Sequence, residues 1–247
     1  GGTSRGILYH KDTYFLKIWD EENPDVYGLG ECALFKGLSS EDNESYEDKL
    51  KELCRNIENG QQTDLMEYSS ILFGFETAIR DFSLGGKRLI YPSDFVAGNT
   101  TIPINGLVWM GNKDEMIARI EQKIGLGFRT IKLKIGAIDF DSEIEMVKFI
   151  RNRFSADDLT IRVDANGGFS TEEALPKLER LSKYGIHSCE QPIKTGQWQQ
   201  MSEICAKTPI AIGLDEELIG VTNPLNMVHL LKSIKPQYII LKPSLMG

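Results

Sequence analysis

The sequence predicts an α/β protein, a run of parallel strands with crossover helices, set behind a separate α+β lobe. Three observations predict it. From about residue 100 onward, strand-like and helix-like segments alternate, six of the first and five of the second. Residues 1–98 break that rhythm and read as an antiparallel strand pair followed by two helices. Five successive strands of the second region close on an ionisable residue. Strands that alternate with helices pair in parallel, because each crossover helix returns the chain to the same end of the sheet.

The elements follow in order. "TYFLKIWD" and "VYGLGECAL" are strands joined by the polar turn "EENPD", and "SYEDKLKELCRNIENG" and "SSILFGFETAIRDFSLGG" are helices. A boundary falls near "VAGNTT", dividing a separate α+β lobe, 1–98, from 99–247. "TTIPINGLV" opens the second region as a strand, and "KDEMIARIEQKIGLG" is an amphipathic helix ending in glycines. Next come the strand "FRTIKLKIG" and the helix "DSEIEMVKFIRNRF". "LTIRVDANG" precedes the helix "STEEALPKLERLSKYG", where Ser170 and Glu173 form a capping box and Pro176 removes a hydrogen bond. The strands "IHSCEQPI", "PIAIGLDEE" and "QYIILKPS" enclose the helices "WQQMSEICAKT" and "PLNMVHLLKSI". A doubly wound open sheet and a (β/α) barrel both satisfy this order. No G-x-G-x-x-G follows the first strand and no P-loop is present, which removes the best markers of the nucleotide-binding open sheets. A barrel needs eight strands, so six visible strands correspond to a chain stopping before the last units.

Composition narrows the partners. The chain has 247 residues, 41% hydrophobic and 26% charged, as in ordinary globular proteins. Its net charge of −8 argues against a nucleic-acid or anionic-membrane partner. Cys32, Cys54, Cys189 and Cys205 show no C-x-x-C or zinc spacing, so reduced thiols in a cytoplasmic protein are expected. No secretory signal or bilayer-length apolar run is present. The chain begins "GGTSRG" without methionine and stops at "KPSLMG", which reads as a piece of a longer protein.

The strand-end residues are Lys134, Asp164, Glu190, Asp215 and Lys242, spaced 30, 26, 25 and 27 apart, one per βα unit. In barrel enzymes the site lies at this face. Residues two apart on a strand share a face, so Lys132 joins Lys134, and Arg162 and Asn166 join Asp164. Three neighbouring carboxylates repel unless a cation sits among them. Asp164, Glu190 and Asp215 form an all-oxygen set that suits a hard ion, Mg²⁺ before Zn²⁺, with Mn²⁺ as the alternative. His187 has the wrong parity to join Glu190 and is expected behind the strand, while His10 and His229 are peripheral. A lysine near a divalent cation and other cations has a depressed pKa and can take a proton from carbon. A proton α to a carboxylate is weakly acidic, and the enediolate it leaves needs electrostatic stabilisation, which a divalent ion supplies.

The motifs resemble the enolase superfamily, in its muconate-lactonising subgroup. They are K-x-K at Lys132–Lys134, D-A-N at Asp164–Asn166, E-Q-P at Glu190–Pro192, D-E at Asp215–Glu216 and K-P-S at Lys242–Ser244. "YGLGECALFKGLS" resembles the strand and turn of that superfamily's capping domain, and "FGFETAIRDFSLGG" the helix before its barrel. "GTSRG" and "LKPSLMG" are most similar to the o-succinylbenzoate synthases of menaquinone biosynthesis. The resemblance implies an enolase-type (β/α) barrel, incomplete in this chain, with an N-terminal α+β capping domain. It implies a lyase that dehydrates a small-molecule carboxylate, 2-succinyl-6-hydroxy-2,4-cyclohexadiene-1-carboxylate, in a syn sense. Lys134 would take the proton α to the ring carboxylate and then protonate the leaving hydroxyl. Lys242 would stay cationic opposite it, in a cation–π contact with the ring. Asp164, Glu190 and Asp215 would hold the metal, and Lys132, Arg162, Asn166 and Glu216 would support. "GGTSRG" would lie in a loop closing the barrel mouth. The competing readings are an N-acylamino acid racemase or dipeptide epimerase of the same subgroup, a muconate cycloisomerase, and a non-catalytic barrel-derived binding protein.

Overall fold

The computed structural model describes residues 2–3, 6–7, 9–109 and 111–247. Two units divide the chain: Gly1–Ile102 with Leu218–Met227 and Leu241–Gly247, and Pro103–Glu217 with Val228–Ile240.

In the first unit, strands β1 (Gly2–Thr3) and β2 (Gly6–Ile7) pair antiparallel. Ser4 and Arg5 of "GGTSRG", expected in the closing loop, lie outside the described residues. Strands β3 (Tyr14–Asp20) and β4 (Asn23–Cys32) form the antiparallel pair expected from the sequence, with Leu16 opposite Gly30 and Ile18 opposite Gly28. Helices α1 (Tyr46–Glu58) and α2 (Ser69–Ser83) follow. Leu16, Cys32, Leu50, Leu53, Ile71 and Ala78 form the core.

The glycines of "YGLGE" have a packing reason. A Cβ on Gly28 would lie 1.9 Å from the Ala78 carbonyl oxygen, and one on Gly30 would lie 1.7 Å from that of Gly74. Strand β4 thus rests directly on the α2 backbone, which only residues without side chains allow. Two buried carboxylates hold the ends of α2. Glu41 accepts from Ser70 N at 2.7 Å and from Ser69 Oγ at the helix start. Asp81 accepts from Leu29 N at 3.0 Å, from Arg88 N at 2.8 Å and from the Arg88 guanidinium. Burial pushes Asp81 up, but these donors outweigh it and hold the carboxyl below its ordinary value.

In the second unit, six strands form one parallel sheet: β5 (Gly106–Val108), β6 (Thr130–Lys134), β7 (Thr160–Asp164), β8 (Ile186–Glu190), β9 (Ala211–Leu214) and β10 (Tyr238–Ile239). They stand side by side in chain order. A doubly wound sheet reverses its order at a switch point. This sheet does not, so of the two arrangements open to the sequence it follows the barrel. Helices α3 (Lys113–Gly125), α4 (Phe140–Arg151), α5 (Thr171–Ser182), α6 (Trp198–Lys207) and α7 (Pro224–Ile234) supply the connections. Asn112, Asp139 and Ser170 cap the first, second and third of them by accepting from Glu115 N, Ser142 N and Glu173 N. Helix α5 continues through Pro176, which is exposed. The carbonyl it leaves unbonded belongs to Glu172, also exposed and open to water.

The strands are shorter at both edges of the sheet than the sequence suggests. "TTIPINGLV" is strand only over Gly106–Val108, and "QYIILKPS" only over Tyr238–Ile239. Pairing beside β10 continues one residue further, where Ile240 N donates to Leu214 O at 2.8 Å. The chain then turns at Pro243–Leu245, a single 3-10 turn preceded by Lys242. Extended sequence pairs as strand only where a neighbour offers its ladder groups.

Candidate active site

Strand β6 shows why two lysines can share a strand. Ile131, Leu133 and Ile135 are buried, while Lys132 and Lys134 point to the opposite face and are half-buried. Burying each large aliphatic side chain contributes about 1.5–3 kcal/mol, which sets the strand's register and thereby the face on which the lysines emerge. Pairing then aligns the site in rows. Lys134 lies opposite Asp164, and Asp164 opposite Glu190; one step back, Lys132 lies opposite Arg162, and Arg162 opposite Ser188. Glu190 pairs with Gly213, so Asp215 lies two residues further on the same face of its chain.

The side chains form a lattice of alternating charge. Lys132 Nζ donates to both oxygens of Glu190, at 2.8 and 2.7 Å, and lies 2.9 Å from Asp164 Oδ2. Lys134 Nζ donates to the same Asp164 oxygen at 2.5 Å and to Asn166 Oδ1 at 2.7 Å. The two ammonium groups therefore share one carboxylate oxygen, which offsets their mutual repulsion. Asn166 Nδ2 donates to Glu216 Oε1 at 2.8 Å, and Asn166 N to Asp164 Oδ1 at 3.0 Å. Arg162 Nη2 stands 3.9 Å from Glu190 Oε2. These contacts bring together Lys132, Lys134, Arg162, Asp164, Asn166, Glu190 and Glu216. Asp215 is buried at the end of β9, and Lys242 belongs to the first unit.

Electrostatics separates the two central carboxylates. Burial pushes Glu190 up and the Asp164 charge pushes it further; Lys132 pulls the other way, and the balance leaves it at about 8. Burial also raises Asp164, but the Lys132 and Lys134 ammonium groups outweigh it and hold that carboxyl below its ordinary value. Burial lowers Lys132, but the Asp164 and Glu190 charges outweigh it and raise its pKa. Asp164 is thus the firmly ionised member, and Glu190 lacks sufficient positive charge around it.

Among the described residues, no three His, Cys, Asp or Glu side chains are drawn together closely enough to hold a metal. The chemistry of the donor set nevertheless fits one. Asp164, Glu190 and Asp215 stand at the ends of three adjacent strands and offer only oxygens. Asp164 and Glu190 already share one cation, the Lys132 ammonium, and Glu190 would be ionised by more positive charge. Ligation by all three requires rotation away from the lysine-bound arrangement. Burial pushes the Cys32 and Cys205 thiols up, to about 12 and 11, and raises Cys189 as well, so these three are held in the unreactive thiol form. His187 is exposed rather than packed, its ring centroid 5.2 Å from that of Tyr238. His229 lies beside Trp198, with ring centroids 5.7 Å apart.

Three residues escaped the sequence reasoning. Glu143, at the start of α4, is buried and accepts from Gly136 N at 2.6 Å, fixing the loop after Lys134. Gln191 and Glu217 are buried between the ends of β8 and β9. The first has no sequence signal, being one more acid on an amphipathic helix. Gln191 sits inside the E-Q-P stretch and Glu217 directly follows the D-E stretch, and that position was the available signal.

A sequence profile described as enolase C-terminal domain-like matches residues 115–232. The chain is 40% identical over 280 aligned residues to o-succinylbenzoate synthase of Desulfotalea psychrophila, spanning all of this chain and 75% of that protein. To L-Ala-D/L-Glu epimerase of Francisella tularensis subsp. novicida it is 28% identical, over 67% of this chain and 48% of that protein. The crystal structure of MenC from Desulfotalea psychrophila superposes with a TM-score of 0.85 at 36% identity, covering 96% of this chain and 74% of that one. o-Succinylbenzoate synthase from Thermosynechococcus elongatus BP-1, with Mg in its active site, shares the fold at a TM-score of 0.77 and 23% identity, covering 99% and 72%. The chain therefore belongs to the enolase superfamily and, within it, to the o-succinylbenzoate synthases.

Proposed function

We infer that this chain carries the active-site strands of an o-succinylbenzoate synthase, which dehydrates 2-succinyl-6-hydroxy-2,4-cyclohexadiene-1-carboxylate to 2-succinylbenzoate and water. The observation that carries the reading is the lysine–carboxylate lattice at the strand ends, in a chain 40% identical along its whole length to such an enzyme.

Lys134, as the neutral amine, takes the proton from the ring carbon that bears the carboxylate. Its ammonium then returns that proton to the departing hydroxyl on the adjacent carbon. The C–H and C–O bonds break on the same face, a double bond forms between the two carbons, and the ring becomes aromatic. One residue serves both steps because the removal is syn. Lys132 and Arg162 orient the neighbouring carboxylates, Asn166 holds Lys134, and Glu216 holds Asn166. Lys242 of the K-P-S motif stays cationic and stabilises the ring's developing charge. Asp164, Glu190 and Asp215 would hold a divalent ion, Mg²⁺ or Mn²⁺, which when bound would supply electrostatic stabilisation of charge developing on the substrate carboxylate. The capping domain is proposed as residues 1–98 and the barrel as residues 99–247. Among the described residues no helix is long and apolar enough to cross a membrane. With its described cysteines free and a net charge of −8, the protein is assigned to the cytoplasm, with a small carboxylate rather than nucleic acid as partner.

The test is an absorbance assay of 2-succinylbenzoate formation by the protein and by Lys134→Ala. Loss of turnover in the variant is expected, and turnover that survives it sinks the assignment of Lys134. Exchange of the α-proton in both enantiomers of an N-succinylamino acid, without dehydration, would replace the dehydratase by the racemase.

A further inference from the structure

Gln191, the residue after Glu190, is buried with a left-handed backbone at φ 39°. A side chain is disfavoured there, so the surrounding contacts must hold it. Its amide makes four hydrogen bonds. Oε1 accepts from Asp215 N at 3.2 Å and from Glu217 N at 3.3 Å. Nε2 donates to Ile193 O at 3.0 Å and to Glu217 Oε2 at 3.4 Å. These partners settle the amide's orientation: two donors face the oxygen, two acceptors face the nitrogen, and a flip would lose all four.

The bonds occur where the ladder ends. Strand β9 stops at Leu214, and the chain passes through Asp215 into the turn Glu216–Leu218. The N–H groups of Asp215 and Glu217 leave the ladder there, and the Gln191 oxygen receives both. Glu217 is anchored in turn: its Oε1 accepts from Gly196 N at 2.9 Å and from Trp198 Nε1 at 2.7 Å. Gln191 N donates to Gly213 O at 2.9 Å, so main chain and side chain both tie the end of β8 to the end of β9. Glu190 and Asp215 are the residues that these ties bracket.

We propose that Gln191 is a positioning residue for the carboxylate set, fixing the main chain that bears Asp215 against Glu190, with Glu217 and Trp198 bracing it. The inference rests on the metal reading above. Residues outside the ligand shell commonly change metal affinity by about 10–100-fold when replaced.

The test titrates the protein with Mn²⁺, reading free ion by its electron paramagnetic resonance signal, independently of turnover. Gln191→Met keeps the length of the side chain and removes all four bonds; it is expected to weaken Mn²⁺ binding by about tenfold or more. Gln191→Glu keeps the two acceptor bonds but sets a carboxylate against Glu217, and adding Glu217→Gln to it is expected to recover part of the affinity. If Gln191→Met fails to fold, Trp198→Phe decides, because it removes a single donor from a half-buried residue; weaker Mn²⁺ binding is expected. A folded Gln191→Met with affinity within about twofold of the parent overturns the inference and leaves the metal reading standing. Unchanged affinity in Trp198→Phe also overturns it. Absence of Mn²⁺ binding by the parent overturns both.

Discussion

Lys132→Met should be the most informative single change for the lattice, because it removes one charge and almost no volume. The ammonium lies within 2.9 Å of Asp164 and 2.7 Å of Glu190, whose side chains are 0% and 4% exposed against 15% for the lysine. Removing one partner of a buried ion pair costs about 3–5 kcal/mol, since the remaining charge stays buried without compensation. The partial exposure of Lys132 and the readiness of Glu190 to take a proton put the expected loss near the lower end, about 3 kcal/mol. For a chain of this size each kcal/mol moves the thermal midpoint by about 2–4 °C, so a fall of about 6–12 °C is expected at pH 7. Thermal unfolding followed by circular dichroism in EDTA measures it, with Lys132→Arg as the charge-keeping control. Mg²⁺ should raise the midpoint of Lys132→Met more than that of the parent, because positive charge at the same carboxylates replaces what was lost. A midpoint within about 2 °C of the parent would show that the ammonium contributes no net stability, and the electrostatic reasoning would be refuted.

Other expectations follow from the packing and the charges. Gly30→Ala forces a Cβ to within 1.7 Å of the Gly74 carbonyl oxygen and should destabilise the first unit by about 3 kcal/mol in urea unfolding. Gly125→Ala, at the end of α3 with nothing near its added methyl, should be neutral or stabilising by up to about 1 kcal/mol. Asp81→Asn should cost about 2 kcal/mol at pH 7, through weaker bonds to Leu29 and Arg88. The folded pKa of Asp81 is depressed, so its contribution is present above the ordinary carboxylate value and is lost as pH falls through the folded one. The gap between parent and Asp81→Asn should therefore narrow between pH 7 and about pH 3, and a gap that widens would reverse the sign. If the metal reading holds, Mg²⁺ at about 100 times its dissociation constant should stabilise the parent by about 2.7 kcal/mol, and melts indifferent to both Mg²⁺ and EDTA would remove the metal from the mechanism.

The strand-and-helix order of residues 130–214, and the face on which Lys132, Lys134, Arg162 and Asp164 emerge, were legible in the sequence. Both depend on local periodicity: an apolar residue at every second position can be buried only by turning the residues between to the other side. The motifs likewise announced Glu190 and Asp215 by type and spacing. Contacts between segments far apart in the chain decided the rest. Chain-order pairing selected the barrel arrangement over the doubly wound sheet, and His187 came to lie exposed beside Tyr238. The glycines at 28 and 30 acquire meaning only from the α2 backbone lying against them, and Gln191 only from the N–H groups of Asp215 and Glu217. The sequence by itself determined which residues would line one face of each strand, because that choice is made within a few neighbouring positions. Tertiary structure alone decided which of them share a proton donor, a carboxylate oxygen or a backbone contact, because those pairings depend on the distance between separate elements and on how closely they pack.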